Sequence, residues 1–219
     1  MINTVLITAA TAKEMECMNK VNGNSLKTMV CKLISGIGPV STVYAIMNYL
    51  AQYDKPDLLI NIGIAGSYTE KIPAGTVVVP VTDSFADLGV CDGKKFIPLS
   101  QAGINDVDDN YTPSGTFHAD PGIVQKLTND LTPVKAVTVS TATGSVEARE
   151  AILSEHNPDI ESMEGAAAYY VCNQEGIPCI GIRSVSNMVG PRDKSLWDIN
   201  LALEQLEKAL VKYLNEIVT

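Results

Sequence analysis

The sequence predicts an α/β fold, a three-layer α/β/α sandwich around a mixed central sheet. Two observations carry this expectation. Short β-branched runs alternate with amphipathic stretches along the whole chain, and many runs end in glycine beside hydroxyl, amide or carboxylate residues. In sheets of this kind the carboxyl ends of the strands gather ligand-binding loops.

The elements follow in order. Residues 4–10 (TVLITAA), 29–35 (MVCKLIS) and 57–66 (DLLINIGIAG) read as buried strands. Between the last two lies a helix over 39–53, opened by Pro39 and apolar at Val43, Ile46, Met47 and Leu50, completing a βαβ unit. Two further strand-like runs, GTVVVPVTDSFAD and KAVTVSTAT, precede a helix through SVEAREAILSEH. A short strand, DIESM, leads into a helix from Glu164 to about Glu175, and IPCIGIRSVSN reads as the last strand. The tail over 194–218, apolar at Leu201, Leu203, Leu206, Leu210 and Leu214, reads as one long helix.

With 219 residues and no linker-like stretch, residues 1–219 are expected to form a single domain, and 46% hydrophobic content suffices for its core. A formal charge of −9, with Lys94-Lys95 the longest basic run, argues against a nucleic-acid partner. Five scattered cysteines (Cys17, Cys31, Cys91, Cys172, Cys179) fit reduced, buried thiols in a cytoplasmic protein. The apolar start is too short for a signal peptide or membrane span, so no membrane partner is expected. His118 and His156 have no partner at ligand spacing, hence no metal and no cofactor are expected. The SGIG segment is only a fragment of a dinucleotide fingerprint.

Three groups at predicted strand ends carry chemistry. Glu14 follows the first strand, where it either overhangs the crevice or serves as a solvated partner of a helix dipole. Glu164, after Met163 and before Gly165 and an alanine run, is either a ligand-facing carboxylate or a helix N-cap. Ser186 and Asn187 end the last strand as ligand contacts or as a turn.

The segments SGIGPV, NIGIAGS, AGTVVVP, FHAD, SMEGAAAYYVC and IPCIGIRSVSN together resemble the purine nucleoside phosphorylase and nucleosidase superfamily along nearly the whole chain. The pattern is most similar to nucleosidases acting on methylthioadenosine and adenosylhomocysteine. Among their neighbours, VSNMVGPRDKSLWDI resembles futalosine hydrolases, enzymes of an alternative menaquinone pathway that release hypoxanthine. The resemblance implies a phosphorylase/hydrolase-like fold, a purine nucleoside substrate and a homodimer or higher homo-oligomer. It places Glu14 as the base that activates water, Glu164 and Met163 at the ribose, and Ser186 and Asn187 at the purine. Ile64, Ala65, Gly66, Ser162 and Arg192 join the expected substrate-binding set.

Asn187 stands where the adenine-specific nucleosidases carry Asp. An amide offers two donors, matching the O6 and N7 acceptors of hypoxanthine, whereas a carboxylate suits the amino group of adenine. The sequence departs from those nucleosidases at Ser162, which replaces a carboxylate, and at VSTATGS, which lacks the Asp and Phe of their corresponding segment. Futalosine carries a benzoate group, for which Arg149, Arg192 and Lys194 are candidate cations. Arg183, inside an apolar strand, is expected to pair with a buried carboxylate. The region around residues 84–116 reads as a flap or a variable excursion. Other readings are a nucleosidase for adenine nucleosides or inosine, a phosphorylase, and a catalytically silent nucleoside-binding protein.

Overall fold

The structure, a computed structural model, describes residues 2–21, 28–93, 95–103 and 115–218. It contains strands β1 (Thr4–Ala9), β2 (Met29–Ile34), β3 (Leu58–Ser67), β4 (Val77–Asp83), β5 (Gly89–Asp92), β6 (Lys95–Pro98), β7 (Phe117–His118), β8 (Thr132–Thr138), β9 (Ile160–Ser162) and β10 (Cys179–Met188). The helices are α1 (Ala12–Met15), α2 (Pro39–Leu50), α3 (Pro121–Leu127), α4 (Val146–His156), α5 (Gly165–Glu175) and α6 (Ile199–Val218). Strands and helices form the mixed α/β architecture expected of the sequence.

Eight strands share one sheet. β2, β1, β3 and β10 run parallel; β10 then meets β4 antiparallel, and β4 continues parallel through β8 to β9. β9 returns antiparallel to β3 through Gly66–Glu161 and Ser67–Ile160. The strands β3, β10, β4, β8 and β9 therefore close a ring. Ala65, Val78, Val134, Ala136, Ile160 and Val185, with Ile72, form one buried cluster drawn from all five strands. The closure follows from the length of β3 and β10. Each has ten residues, so the first half serves the open parallel sheet and the second half reaches β9 and β4.

β3 is buried along most of its length, as a strand covered on both faces must be. α2 packs against α5, and α6 packs with α3; α5 and α6 both lie on β3, β4 and β10. Leu206, Leu210 and Leu214 of α6 enter the main core with Leu6, Ile60, Ile180 and Ile182. The apolar stripe read in the tail is thus the face that docks.

Some local expectations change. The tail is not one helix from 194: a 3₁₀ turn at Lys194–Leu196 precedes α6. The break arises because the Asp198 N–H donates to the Ser186 carbonyl (2.8 Å), while its carboxylate accepts from Leu201 N (2.9 Å) and caps α6. Within 84–116 the described residues include the β5–β6 hairpin; residues 94 and 104–114 of that region lie outside the described residues. Three of the five thiols are buried, but Cys31 is half-buried and Cys91 exposed. No described helix is long and apolar enough to cross a membrane.

Candidate active site

Glu14 is held at the end of β1 by a capping box. Its backbone N–H donates to Thr11 Oγ1 (3.2 Å), and its Oε2 accepts from Thr11 N (3.0 Å) and Thr11 Oγ1 (2.8 Å). Oε1 crosses to β3 and accepts from Ile64 N (3.1 Å). The carboxylate is 8% exposed and is no solvated dipole partner. Gly63 makes the crossing possible, since a Cβ there would stand 2.8 Å from Glu14 Oε1. The Thr-x-x-Glu spacing of residues 11–14 is a sequence signal that the position-by-position reading overlooked.

Glu164 occupies the N-cap position of α5, yet its side chain makes no capping bond. Its Oε1 instead accepts from Gly38 N (2.9 Å), in the turn ahead of α2 where φ is +91°. Burial raises its carboxyl above the ordinary range, with Glu14 adding to the rise, while the Gly38 N–H and the Arg183 charge oppose it. Met163 is partly buried against the cluster that Tyr68, Ala86, Val137, Val139 and Val189 form. Ser162 is buried and its hydroxyl lies 3.4 Å from Gly165 N.

The Ser186–Asn187 pair sits on a β-bulge. β10 follows β3 in register from Cys179 to Val185, and resumes with Asn187 opposite Gly66, leaving Ser186 unmatched. Ser186 Oγ is 2.7 Å from Asn187 Oδ1 and 3.3 Å from the Ala65 carbonyl, so its single proton favours the amide oxygen. Asn187 Nδ2 donates to the Met188 carbonyl (2.9 Å). Gly66 lets the strands close here: a Cβ would lie 2.7 Å from Val189 Cγ2 and 3.4 Å from Asn187 Nδ2.

Glu14, Ile64, Ala65, Gly66, Ser186 and Asn187 thus meet where β3 and β10 end, and Met163 and Glu164 follow β9, which is paired to the same end of β3. Arg192 lies on a cavity that adjoins this site through Lys13 and Asp198. It is exposed, stands over the Trp197 ring at 5.9 Å, and shares a cavity of about 550 Å³ with Lys13, Trp197, Asp198, Ile199 and Asn200. Arg149 turns to the Tyr68 carbonyl (2.6 Å), and the Lys194 side chain lies outside the described residues.

Arg183 corrects an expectation. It is buried, but its hydrogen bonds go to carbonyl oxygens, the Asn61 main chain (2.6 Å), Ile182 (3.2 Å) and the Asn61 side chain, rather than to a carboxylate. These neutral acceptors leave its charge to act on Asp83 and Glu164. Sequence reasoning also passed over Glu161, whose buried carboxylate accepts from Tyr68 OH (2.7 Å), Thr143 N (2.9 Å) and Thr143 Oγ1 (2.5 Å). A glutamate one residue from the vacated carboxylate position at Ser162 was the available signal. Among the described residues no group of three His, Cys, Asp or Glu is placed to hold a metal ion.

Comparison with known proteins agrees with this layout. The sequence profile of the Phosphorylase superfamily matches residues 11–219. The chain is 32% identical over 189 residues to the futalosine hydrolase of Streptomyces coelicolor, covering 82% of this chain and 76% of that one. It is 30% identical over 186 residues to the futalosine hydrolase of Thermus thermophilus, covering 84% and 80%. Among solved structures, a futalosine hydrolase mutant of Helicobacter pylori superposes with a TM-score of 0.82 at 16% identity, over 98% of this chain and 100% of the other, a likeness of fold. By sequence over nearly its whole length and by fold, the chain belongs to the Phosphorylase superfamily.

Proposed function

We propose that this chain is an N-glycosyl hydrolase that cleaves the N-ribosidic bond of futalosine and releases hypoxanthine. The observation that carries the substrate reading is the Ser186–Asn187 pair. The Ser186 hydroxyl donates to the amide oxygen at 2.7 Å, which fixes the amide; its nitrogen gives one proton to the Met188 carbonyl at 2.9 Å and keeps the second for a purine acceptor. The likeness to the two futalosine hydrolases supports the same choice.

In the proposed reaction, water adds to the anomeric carbon as the bond to the purine nitrogen breaks and its electrons pass to the base. Glu14 takes the water proton, and its Oε1, with one protein donor, keeps room to do so. Glu164 accepts from the sugar hydroxyls and Met163 packs on the ring, so a carboxylate lies near the cationic sugar of the transition state. The remaining N–H of the Asn187 amide donates to an acceptor of the departing base. Ile64, Ala65, Gly66 and Ser162 line the approach, and Arg192, beside Lys13 and Trp197, faces the benzoate.

A hydrolase is favoured over a phosphorylase because the loop after β1 presents a buried carboxylate where a phosphate dianion would be repelled. The same proposal includes one domain over 1–219, a cytoplasmic, homo-oligomeric enzyme and a place in menaquinone synthesis.

The test is chromatography of digests of futalosine, inosine and methylthioadenosine, each with and without phosphate. Hypoxanthine from futalosine without phosphate is expected. Hypoxanthine only with phosphate, or faster release of adenine, would overturn the proposal. Glu14→Gln is expected to lower kcat roughly 10²- to 10⁴-fold.

A further inference from the structure

We propose that Asp83 and Thr138 form a buried relay that caps α5 in place of Glu164, which makes Asp83 a positioning residue for the sugar-facing carboxylate. The proposal rests on the reading that Glu164 meets the ribose.

A residue at an N-cap position ordinarily satisfies the first free N–H groups of its helix. Glu164 does not, because its carboxylate is committed to Gly38 N at 2.9 Å. The first turn of α5 is nevertheless buried from Gly165 through Ala168, where an unpaired N–H is costly. Ala166 N donates to Thr138 Oγ1 at 2.7 Å, and Thr138 Oγ1 in turn donates to Asp83 Oδ1 at 3.0 Å. A threonine hydroxyl has one proton. Giving it to Asp83 leaves the oxygen lone pairs directed at the helix, so the carboxyl on β4 fixes the cap on α5 through a residue of β8.

The fit of Asp83 to the helix start is close. A Cβ at residue 165 would stand 2.0 Å from Asp83 Oδ2, so the glycine after Glu164 is the space this carboxyl occupies. Asp83 and Thr138 are 1% and 0% exposed, so bulk solvent does not reach the cap. The titratable or charged groups around Asp83 are Arg183 and Cys179 from β10, and Glu164 and Tyr169 from the start and body of α5. Burial pushes its carboxyl up to about 7, against the pull of Arg183, Thr138 and the Ser84 N–H, and Glu164 adds to the rise.

The experiment compares Thr138→Val with Thr138→Ser. Hydrogen exchange of the Ala166 amide, followed by NMR, reports the cap without any substrate, and kcat and KM for purine release report its consequence. In Thr138→Val, Ala166 exchange is expected to accelerate and KM to rise, each roughly 5- to 10-fold for one lost buried hydrogen bond, and Thr138→Ser is expected to restore most of both. Asp83→Ala and Thr138→Val should be non-additive in Ala166 exchange, since each breaks the same relay. Unchanged exchange in Thr138→Val, or additive effects, would overturn the relay. Accelerated exchange with wild-type kcat and KM would overturn the positioning role. If the unmodified protein releases no purine from any nucleoside, the reaction assigned above fails, while the exchange data still decide the relay.

Discussion

Asn187 is the residue at which substrate choice is most directly testable. Its amide oxygen is occupied by Ser186 and one N–H by the Met188 carbonyl, so Asn187→Asp replaces the remaining donor with an acceptor that hypoxanthine cannot use. The variant is expected to lose roughly one to two decades of preference for the 6-oxopurine over the adenine nucleoside, the range set by one unpaired buried polar group. Parallel kcat/KM measurements on futalosine and methylthioadenosine check this; an unmoved ratio would remove Asn187 from base recognition. Asp83 makes a second prediction. Burial pushes its carboxyl up to about 7, above the ordinary carboxylate range, so its protonated form stabilises the fold. That contribution is complete below the unfolded pKa and is lost as pH rises through about 7. The stability of the unmodified protein relative to Asp83→Asn should therefore fall between about pH 4 and pH 7 in urea unfolding and level off above that. A constant difference would mean that Asp83 titrates normally.

At the scale of elements, what could be read from the sequence depended on how local the signal was. The strands over Thr4–Ala9 and Leu58–Ser67 are apolar runs, and α2 carries a helical stripe with Pro39 at its start, so neighbouring residues alone identify them. α3 was missed although Asp120 caps it and Pro121 opens it, because seven residues are too few to establish a period. The β5–β6 hairpin was missed because its first strand is exposed throughout and shows no apolar alternation. The candidate site divides in the same way. Glu14, Glu164 and Asn187 stood out at strand ends, but the paths of Glu14 to Ile64 and of Asp83 to α5 join residues far apart in sequence. Ser145 illustrates a legible cap: its hydroxyl accepts from Ala148 N at 3.1 Å at the start of α4. Ser145→Ala is expected to cost about 1 kcal/mol in denaturant unfolding.

For the whole molecule, the outer face of α2 is the conspicuous apolar surface. Val40 is 83% exposed and Tyr44 73%, and they line a cavity of about 580 Å³ with Val43, Met47, Phe85 and Tyr170. The cavity lies next to the Gly38 turn that holds Glu164. An apolar face of this kind supports the proposed homo-oligomer. Val40→Glu with Tyr44→Glu should shift the protein toward monomer in sedimentation velocity and lower turnover with it. A monomeric unmodified protein would refute this assignment of the face.

The closed ring of strands has a kinetic meaning as well. β3 and β9 meet through Gly66–Glu161 and Ser67–Ile160, partners about a hundred residues apart along the chain. Chain-closure entropy for that seam must be met before its own contacts compensate, and both strands already depend on β10 and β8 for their other edges. The seam is thus expected to form late in folding, and with it the placement of Met163 and Glu164, which follow β9 directly. A chain caught before this step would possess the β1–β2–β3 half of the sheet, with Glu14 in place, while the sugar-facing half of the site was still unbuilt.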